Sequence, residues 1–274
     1  MKKITRLIIG LTAIIALAGC GASGEGEKKD ITLGATVPYS DMLEKGVKPY
    51  LEKKGYKVEV KEFNDYVQPN ISLKSGSLDA NLFQHKVYMD AFSKENNMKL
   101  SSVVTVPTAP IGIYSNKFKS LEEIKPGSTV ALANDPTNLA RGLTILRDNG
   151  LIEIDDKADP LRVSEKDVTK NPKKLKFQPV EAAQTPRTLE SVDLAAVNGN
   201  FAISSGLNLE DAIVKDKLPE EIINRIVVLE EDKNSKLAKD LKAAVESEEF
   251  KKVINREFEQ FHKPEWMNKK TASK

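Results

Sequence analysis

Few residues in this chain of 274 could do chemistry by themselves. It has one cysteine, Cys20, and two histidines, His85 and His262. One cysteine excludes an intrachain disulfide framework and a multi-cysteine metal site. The histidines lie far apart in sequence, so a His-centred triad would have to be assembled by the fold. His85 with Asp65 is the pair open to that chemistry. The G-x-S-x-G, P-loop, H-E-x-x-H and EF-hand patterns are absent. What remains is a set of polar residues directly after apolar, strand-like runs. They are Asn64-Asp65-Tyr66, Phe83-Gln84-His85, Asn134-Asp135 and Asn198-Gly199-Asn200. In open α/β sheets, ligands bind outside the carboxyl ends of strands, where such residues would sit. Arg141 adds a planar guanidinium fork that matches a carboxylate. Its plainer reading is a surface arginine on a solvated helix face. For His85 the plainer reading is a structural hydrogen bonder, for Tyr66, Phe83 and Tyr88 a place in the core, and for Asn198-Gly199-Asn200 a simple turn.

The elements that would position these residues follow from pattern. Ile31–Val37 reads as a first strand. Ser40 or Asp41 could cap a helix with Leu43, Val47 and Leu51 on one face, kinked at Pro49 and ended at Gly55. Lys57–Phe63 alternates as a second strand. A helix is expected around Ile71–Leu73, a short buried strand over Leu78–Phe83, a helix over Tyr88–Asn96 and a strand over Ser102–Val106. A second unit begins near Ile111–Tyr114. Ser120-Leu121-Glu122-Glu123 is a capping-box candidate. A strand over Ser128–Leu132 precedes Asp135-Pro136, a cap residue followed by proline at the first helical position, and a helix to Asp148. Leu175–Val180 and Leu194–Val197 read as strands, and Pro186–Ser191 opens a helix between them. Ile222–Leu229 is apolar and β-branched. The terminus is helical, with Leu237, Leu241, Val245, Phe250, Val253, Ile254 and Phe261 at helical spacing. The β-α-β order makes the chain α/β.

The N-terminus sets the compartment. Lys2, Lys3 and Arg6 precede the apolar run Leu7–Gly19, too short for a comfortable membrane span of ~20 residues. Leu17-Ala18-Gly19-Cys20 resembles the lipobox of bacterial lipoproteins. Residues 1–19 are then a signal peptide, Cys20 carries a lipid, and residues 20–30 form a flexible tether. Gly19–Gly24 also matches G-x-G-x-x-G, but no strand precedes it and no helix follows, so a dinucleotide loop is rejected. The whole chain carries 42 basic and 40 acidic residues. Without Lys2, Lys3 and Arg6 the balance is 39 to 40, a net charge of −1 that argues against a dedicated nucleic-acid binder.

Several motifs together carry a resemblance. Phe63–Asn70, Leu78–His85, Pro110–Ser115, Asn134–Arg141 and Ala196–Ala202 closely resemble the NlpA/MetQ family of methionine-binding lipoproteins, in order, over the whole mature chain. The resemblance implies a type II periplasmic-binding-protein-like fold, two α/β lobes with a ligand cleft between them. It places lobe 1 over 31–111 and 223–274 and lobe 2 over 112–222. It implies that Arg141 holds a substrate carboxylate and that Asn198 and Asn224 hydrogen-bond the amino and carboxylate groups. Tyr66, Phe83, His85 and Tyr88 would line the side-chain pocket, with Asn138 a secondary candidate. A thioether packs well on aromatic rings, at ~0.3–1.5 kcal/mol per contact. The implied partners are L- or D-methionine, a membrane through the lipid on Cys20, and an ABC permease with its ATPase on the extracytoplasmic side. No metal or cofactor is implied. Two segments depart from the family pattern, Val37-Pro38-Tyr39-Ser40 and Pro219–Ile223 before Asn224. A methionine-containing dipeptide or another amino acid is therefore the alternative ligand, and an extracytoplasmic enzyme or a surface adhesin the alternative role.

Overall fold

The computed structural model describes residues 29–268. The signal segment, Cys20 and most of the tether lie outside the described residues. The first strands are β1 (Asp30–Thr36), β2 (Lys57–Phe63), β3 (Ala80–His85) and β4 (Leu100–Thr105). They are followed by β5 (Gly112–Tyr114), β6 (Thr129–Ala133), β7 (Glu153–Ile154), β8 (Val168–Lys170), β9 (Lys176–Val180), β10 (Leu194–Val197), β11 (Val214–Lys215) and β12 (Asn224–Leu229). Two five-stranded sheets result, in the orders β2-β1-β3-β12-β4 and β11-β5-β10-β6-β9, and β7 and β8 form a small hairpin-like pair. In the first sheet β1 runs parallel to β2 and β3, while β12 is antiparallel to β3 and β4. In the second, β6 is parallel to β9 and β10, while β5 is antiparallel to β10 and β11. In each sheet, the strand that the chain enters on arriving from the other sheet runs against its neighbours.

The strand sequences explain their places. β3 (Ala-Asn-Leu-Phe-Gln-His) and β10 (Leu-Ala-Ala-Val) are buried throughout, as strands covered on both faces are. β2 lies at an edge, and its Lys-Val-Glu-Val-Lys-Glu alternation sends charge to solvent. One core cluster joins Leu33, Leu82, Leu241, Val245, Phe250 and Ile254 and continues into Ala131, Ala195 and Phe201 of the second lobe. A second cluster holds Ile113, Leu132, Leu143, Leu146 and Leu194.

The chain crosses between lobes through residues 106–111 and again through 216–223. The crossovers touch. Ile111 N–H donates to Asp216 Oδ1 at 2.8 Å, and Asp216 N–H donates to the Ile111 carbonyl at 2.9 Å.

Several local expectations need correction. Neither Ser40 nor Asp41 caps a helix; the helical turn begins at Tyr39, and Ser40 Oγ donates to Glu62 at 3.0 Å. Proline's effect at Pro49 is absorbed just upstream, where Leu43–Val47 is a π-helical stretch and Lys48–Lys53 restarts as α-helix. Ser120–Glu123 opens no helix. Glu123 instead accepts the Lys119 N–H at 2.7 Å and closes a turn. The reciprocal capping box is at Ser164 and Asp167. The helix expected from Pro186 is a single turn, Thr185–Thr188. The terminal helix divides at Ser247 into Lys236–Val245 and Glu248–Glu257, because Ser247 Oγ accepts the Phe250 N–H and starts a new helix.

Candidate functional site

The eight ligand-contact residues expected from sequence come together around one cavity between the sheets. Tyr66, Phe83, His85, Tyr88, Asn138, Arg141, Asn198 and Asn224 all line it. The cavity measures about 20 Å³, on the scale of one water. An amino acid enters only if the lobes or the lining side chains separate.

Each side chain arrives from the end of a strand or the first turns of the helix after it. Tyr66 stands in the loop after β2, and Phe83 and His85 end β3. Asn138 and Arg141 lie in the first turns of the helix Pro136–Asp148, which follows β6. Asn198 immediately precedes the helix Gly199–Ser204 after β10, and Asn224 opens β12.

The aromatic wall is tight. Tyr66 and Phe83 stack with ring centroids 5.9 Å apart, and Tyr88 meets them edge-on at 5.9 and 5.8 Å. The Tyr88 hydroxyl donates to the Tyr66 carbonyl at 2.8 Å. Beneath the wall, Asn70, Asn81 and Gln84 form a buried amide cluster. Asn70 and Gln84 exchange hydrogen bonds at 3.0 and 2.7 Å, and Asn81 donates to Asn70 at 2.9 Å. This cluster ties the helix Gln68–Lys74, which follows the Tyr66 loop, to the strand carrying Phe83 and His85.

The polar wall has its orientations fixed in sequence. Asp135 caps the helix and accepts from the Asn138 amide at 3.1 and 3.0 Å. The Asn138 carbonyl oxygen therefore faces the other way, where it accepts from Arg141 Nη1 and from Asn198 Nδ2, each at 3.0 Å. Asn198 is turned in consequence, and its Oδ1 is buried without a hydrogen-bond partner among the described residues. His85 shows the complementary pattern. Its Nδ1 accepts the Tyr88 N–H at 3.1 Å as the cap of the helix Lys86–Glu95. The proton of the neutral ring is thus on Nε2, a buried donor that also lacks a partner. Arg141 presents five N–H donors. Three are directed to Asp216 and Asn138. Two remain, enough for a carboxylate. The cavity so offers a cationic fork and an imidazole N–H to an anion, and an amide oxygen to a cation, beside an aromatic wall.

Burial and the nearby Arg141, with Arg225 behind them, push the His85 pKa well below its ordinary value, and Asn138 acts in the opposite direction. The ring stays neutral at pH 7. A histidine protonated more easily in the unfolded chain contributes stability that is present above the unfolded value near 6.5 and lost as pH falls below it. We expect the wild-type unfolding free energy to fall by up to about 1.4 kcal/mol per pH unit below that value from this one group. His85→Asn keeps an acceptor at the cap and should flatten that slope. Urea denaturation across the range checks it, and parallel profiles for the two proteins would exclude His85 as the source.

Asp65 does not pair with His85. Its Oδ1 accepts the Val67 and Gln68 N–H groups, each at 2.7 Å, while the imidazole Nδ1 is occupied by Tyr88. Among the described residues, no group of three or more His, Cys, Asp or Glu side chains is placed to hold a metal ion.

Sequence reasoning missed Tyr39, Thr108 and Asp216 at or behind the cavity, and set Asn200 below Asn198. Tyr39, from the departing segment Val37–Ser40, lines it, and burial raises its pKa to about 12. Asn200, ranked below Asn198 in sequence, lines it as well and bridges the lobes. It accepts from the Tyr66 hydroxyl at 2.6 Å and donates to Thr36 Oγ1 at 3.4 Å. Thr108 of the first crossover also lines the cavity and accepts the Asn224 N–H at 2.8 Å. Asp216 stands behind Arg141, bound to Nε and Nη2 at 3.0 and 2.7 Å. The doublet Asn198-x-Asn200 signalled one of these; nothing local signals Asp216.

The chain is similar to known proteins in sequence and in fold. Residues 31–266 match the family model described as NlpA lipoprotein. The D-methionine-binding lipoprotein MetQ of Salmonella typhi is 39% identical over 254 residues, covering 90% of this chain and 92% of the relative. A crystal structure of the methionine-binding protein MetQ superposes with a TM-score of 0.81 at 37% identity, covering 87% of this chain and 99% of that one. A nutrient-binding protein from Burkholderia cenocepacia, solved bound to methionine, gives 0.80 at 39% identity, covering 84% and 97%. The two-lobed α/β architecture is the type II periplasmic-binding-protein fold. By sequence and by fold, the chain belongs to the NlpA lipoprotein family.

Proposed function

We propose that this protein is a lipid-anchored substrate-binding protein that captures methionine, L- or D-, and delivers it to an ABC permease driven by its ATPase. The observation that carries the reading is the set of unmatched polar groups facing one cavity beside three aromatic rings. Arg141 and His85 Nε2 suit the ligand carboxylate, and Asn198 Oδ1 suits its ammonium. Tyr66, Phe83 and Tyr88 suit a thioether. Asn224 contributes less directly, since its Nδ2 donates to the Phe83 carbonyl at 3.2 Å. Relatives that carry methionine-binding names, and the Burkholderia protein solved with methionine, support the same assignment. On this reading the ligand is bound and released unchanged, as the binding-protein names of the relatives suggest.

Anchoring rests on Cys20. No helix among the described residues is long and apolar enough to cross a membrane. One acyl chain holds a protein only marginally, so the lipid on Cys20 carries two or more. Ligand binding favours the closed arrangement of the lobes, and the closed form docks on the permease.

Calorimetry on ligand-stripped mature protein tests the reading. Methionine should bind and raise the unfolding temperature, and neither methionine nor Gly-Met should be turned over. Strong binding of another amino acid with none of methionine or Gly-Met would move the specificity and leave the receptor role. Turnover of any of them would replace that role with an enzyme.

A further inference from the structure

Asp216 has no place in the contacts just assigned, yet both of its carboxylate oxygens are held beside the cavity. Its side chain is 7% exposed and that of Arg141 12%. Each carboxylate oxygen has a definite task. Oδ2 takes both Nε and Nη2 of Arg141, at 3.0 and 2.7 Å. Oδ1 takes the N–H of Ile111, at 2.8 Å, in the other crossover. One side chain thus links the second lobe's arginine to both segments that connect the lobes. Burial pulls the Asp216 pKa upward, and Arg141 opposes it.

We propose that Asp216 is the positioning residue of this site, presenting Arg141 to the ligand and balancing its charge so that a zwitterion is preferred over an anion of the same shape. This rests on the amino-acid reading above. Two consequences of the geometry support it. First, side-on pairing leaves the remaining Arg141 donors aimed where Asp216 does not reach, and Asn138 holds the opposite edge at 3.0 Å. Second, a lone buried guanidinium would attract any anion, whereas a paired one offers hydrogen bonds with no net charge. Other charges near the pair do not restore a positive site. His85 is neutral, Lys215 pairs with Glu210 at 2.7 Å, Arg225 donates to the Glu220 and Ile223 carbonyls with Glu220 and Asp90 acting on its charge, and Asp135 places a carboxylate at the cap of the same helix. A ligand bringing only a carboxylate meets a balanced site; one that also brings an ammonium meets Asn198 Oδ1.

The test compares methionine with its des-amino analogue, 4-(methylsulfanyl)butanoate, by calorimetry on the mature protein. Wild type should prefer methionine. In Asp216→Asn, which keeps the shape and an acceptor for Ile111, the preference should shift toward the anion by about tenfold or more. Asp216→Glu keeps the charge and should keep the wild-type ratio, even if both affinities fall. A purely structural role would weaken both ligands equally and leave the ratio still, which overturns the proposal. If Asp216→Asn does not fold, Asp216→Ser reads the same ratio. Failure of both to fold would make Asp216 a folding residue and also overturn it. If wild type binds no amino acid at all, the functional reading falls first; if it binds and the ratio does not move, only the assignment of Asp216 falls.

Discussion

Arg141→Ala should lower methionine affinity by about a thousandfold and destabilise the fold at the same time. Two charge-assisted hydrogen bonds at ~1.5–3 kcal/mol each give a loss of about 4 kcal/mol, or roughly three decades in Kd. The destabilisation has a separate source. Asp216 would keep its burial and lose its cation, and removing one partner of a buried pair costs about 3–5 kcal/mol. That cost has a sign in pH. Losing Arg141 pushes the Asp216 pKa, already raised by burial, higher still above its unfolded value. A raised acid contributes stability below its unfolded pKa and loses it as pH rises through the folded one. Relative to wild type, Arg141→Ala should therefore be less impaired in mild acid than at neutral pH, and the loss of Arg141's push on His85 acts in the same direction, since it relaxes the lowering of that pKa. Arg141→Lys keeps a charge for Asp216 but not the fork, so it should recover most stability and little affinity. Calorimetry with urea denaturation at two pH values separates these effects. Affinity within a few-fold of wild type in Arg141→Ala would remove Arg141 from the binding site.

Gly199→Ala is the second large effect, and it is steric. A methyl at that position would lie 2.4 Å from the Pro110 carbonyl oxygen and 2.5 Å from the Ala109 Cβ. Neither can step aside cheaply. Ala109 N–H donates to the Tyr39 hydroxyl at 3.2 Å, and Thr108 next to it exchanges backbone hydrogen bonds with His262, both at 2.9 Å. The helix Gly199–Ser204 would have to back away from the first crossover, carrying Asn198 and Asn200 out of the cavity. We expect ~1–3 kcal/mol of lost stability, and about a tenfold or greater loss of methionine affinity from the displaced asparagines. A melting temperature and Kd both equal to wild type would show that the crossover yields instead.

How much of this was readable in the residues depends on whether the signal was local. The buried run Leu194–Val197 and the Asp135-Pro136 helix start were legible because burial on both faces and a cap before proline leave marks within a few residues. The capping pattern at Ser120 has the same local form and makes no helix, since nothing in four residues says whether an apolar face follows. The aromatic and asparagine contacts came from long motifs resembling a family, and the cavity gathers them. Asp216 and the bridging role of Asn200 could not be read that way. Asp216 is 75 residues from Arg141 and 105 from Ile111, and Asn200 is 134 from Tyr66. Their partners exist only once both sheets are assembled.

The strand order has a consequence for the order of synthesis. β12 is the last strand made, yet it lies between β3 and β4. The first lobe begins the chain but cannot complete its sheet until residue 229 has emerged, whereas all five strands of the second sheet fall within 112–215. Pairing that spans such a separation is slow, because the long loop must close before the contacts form. The sheet that the chain starts first is therefore completed only after every strand of the second sheet is available.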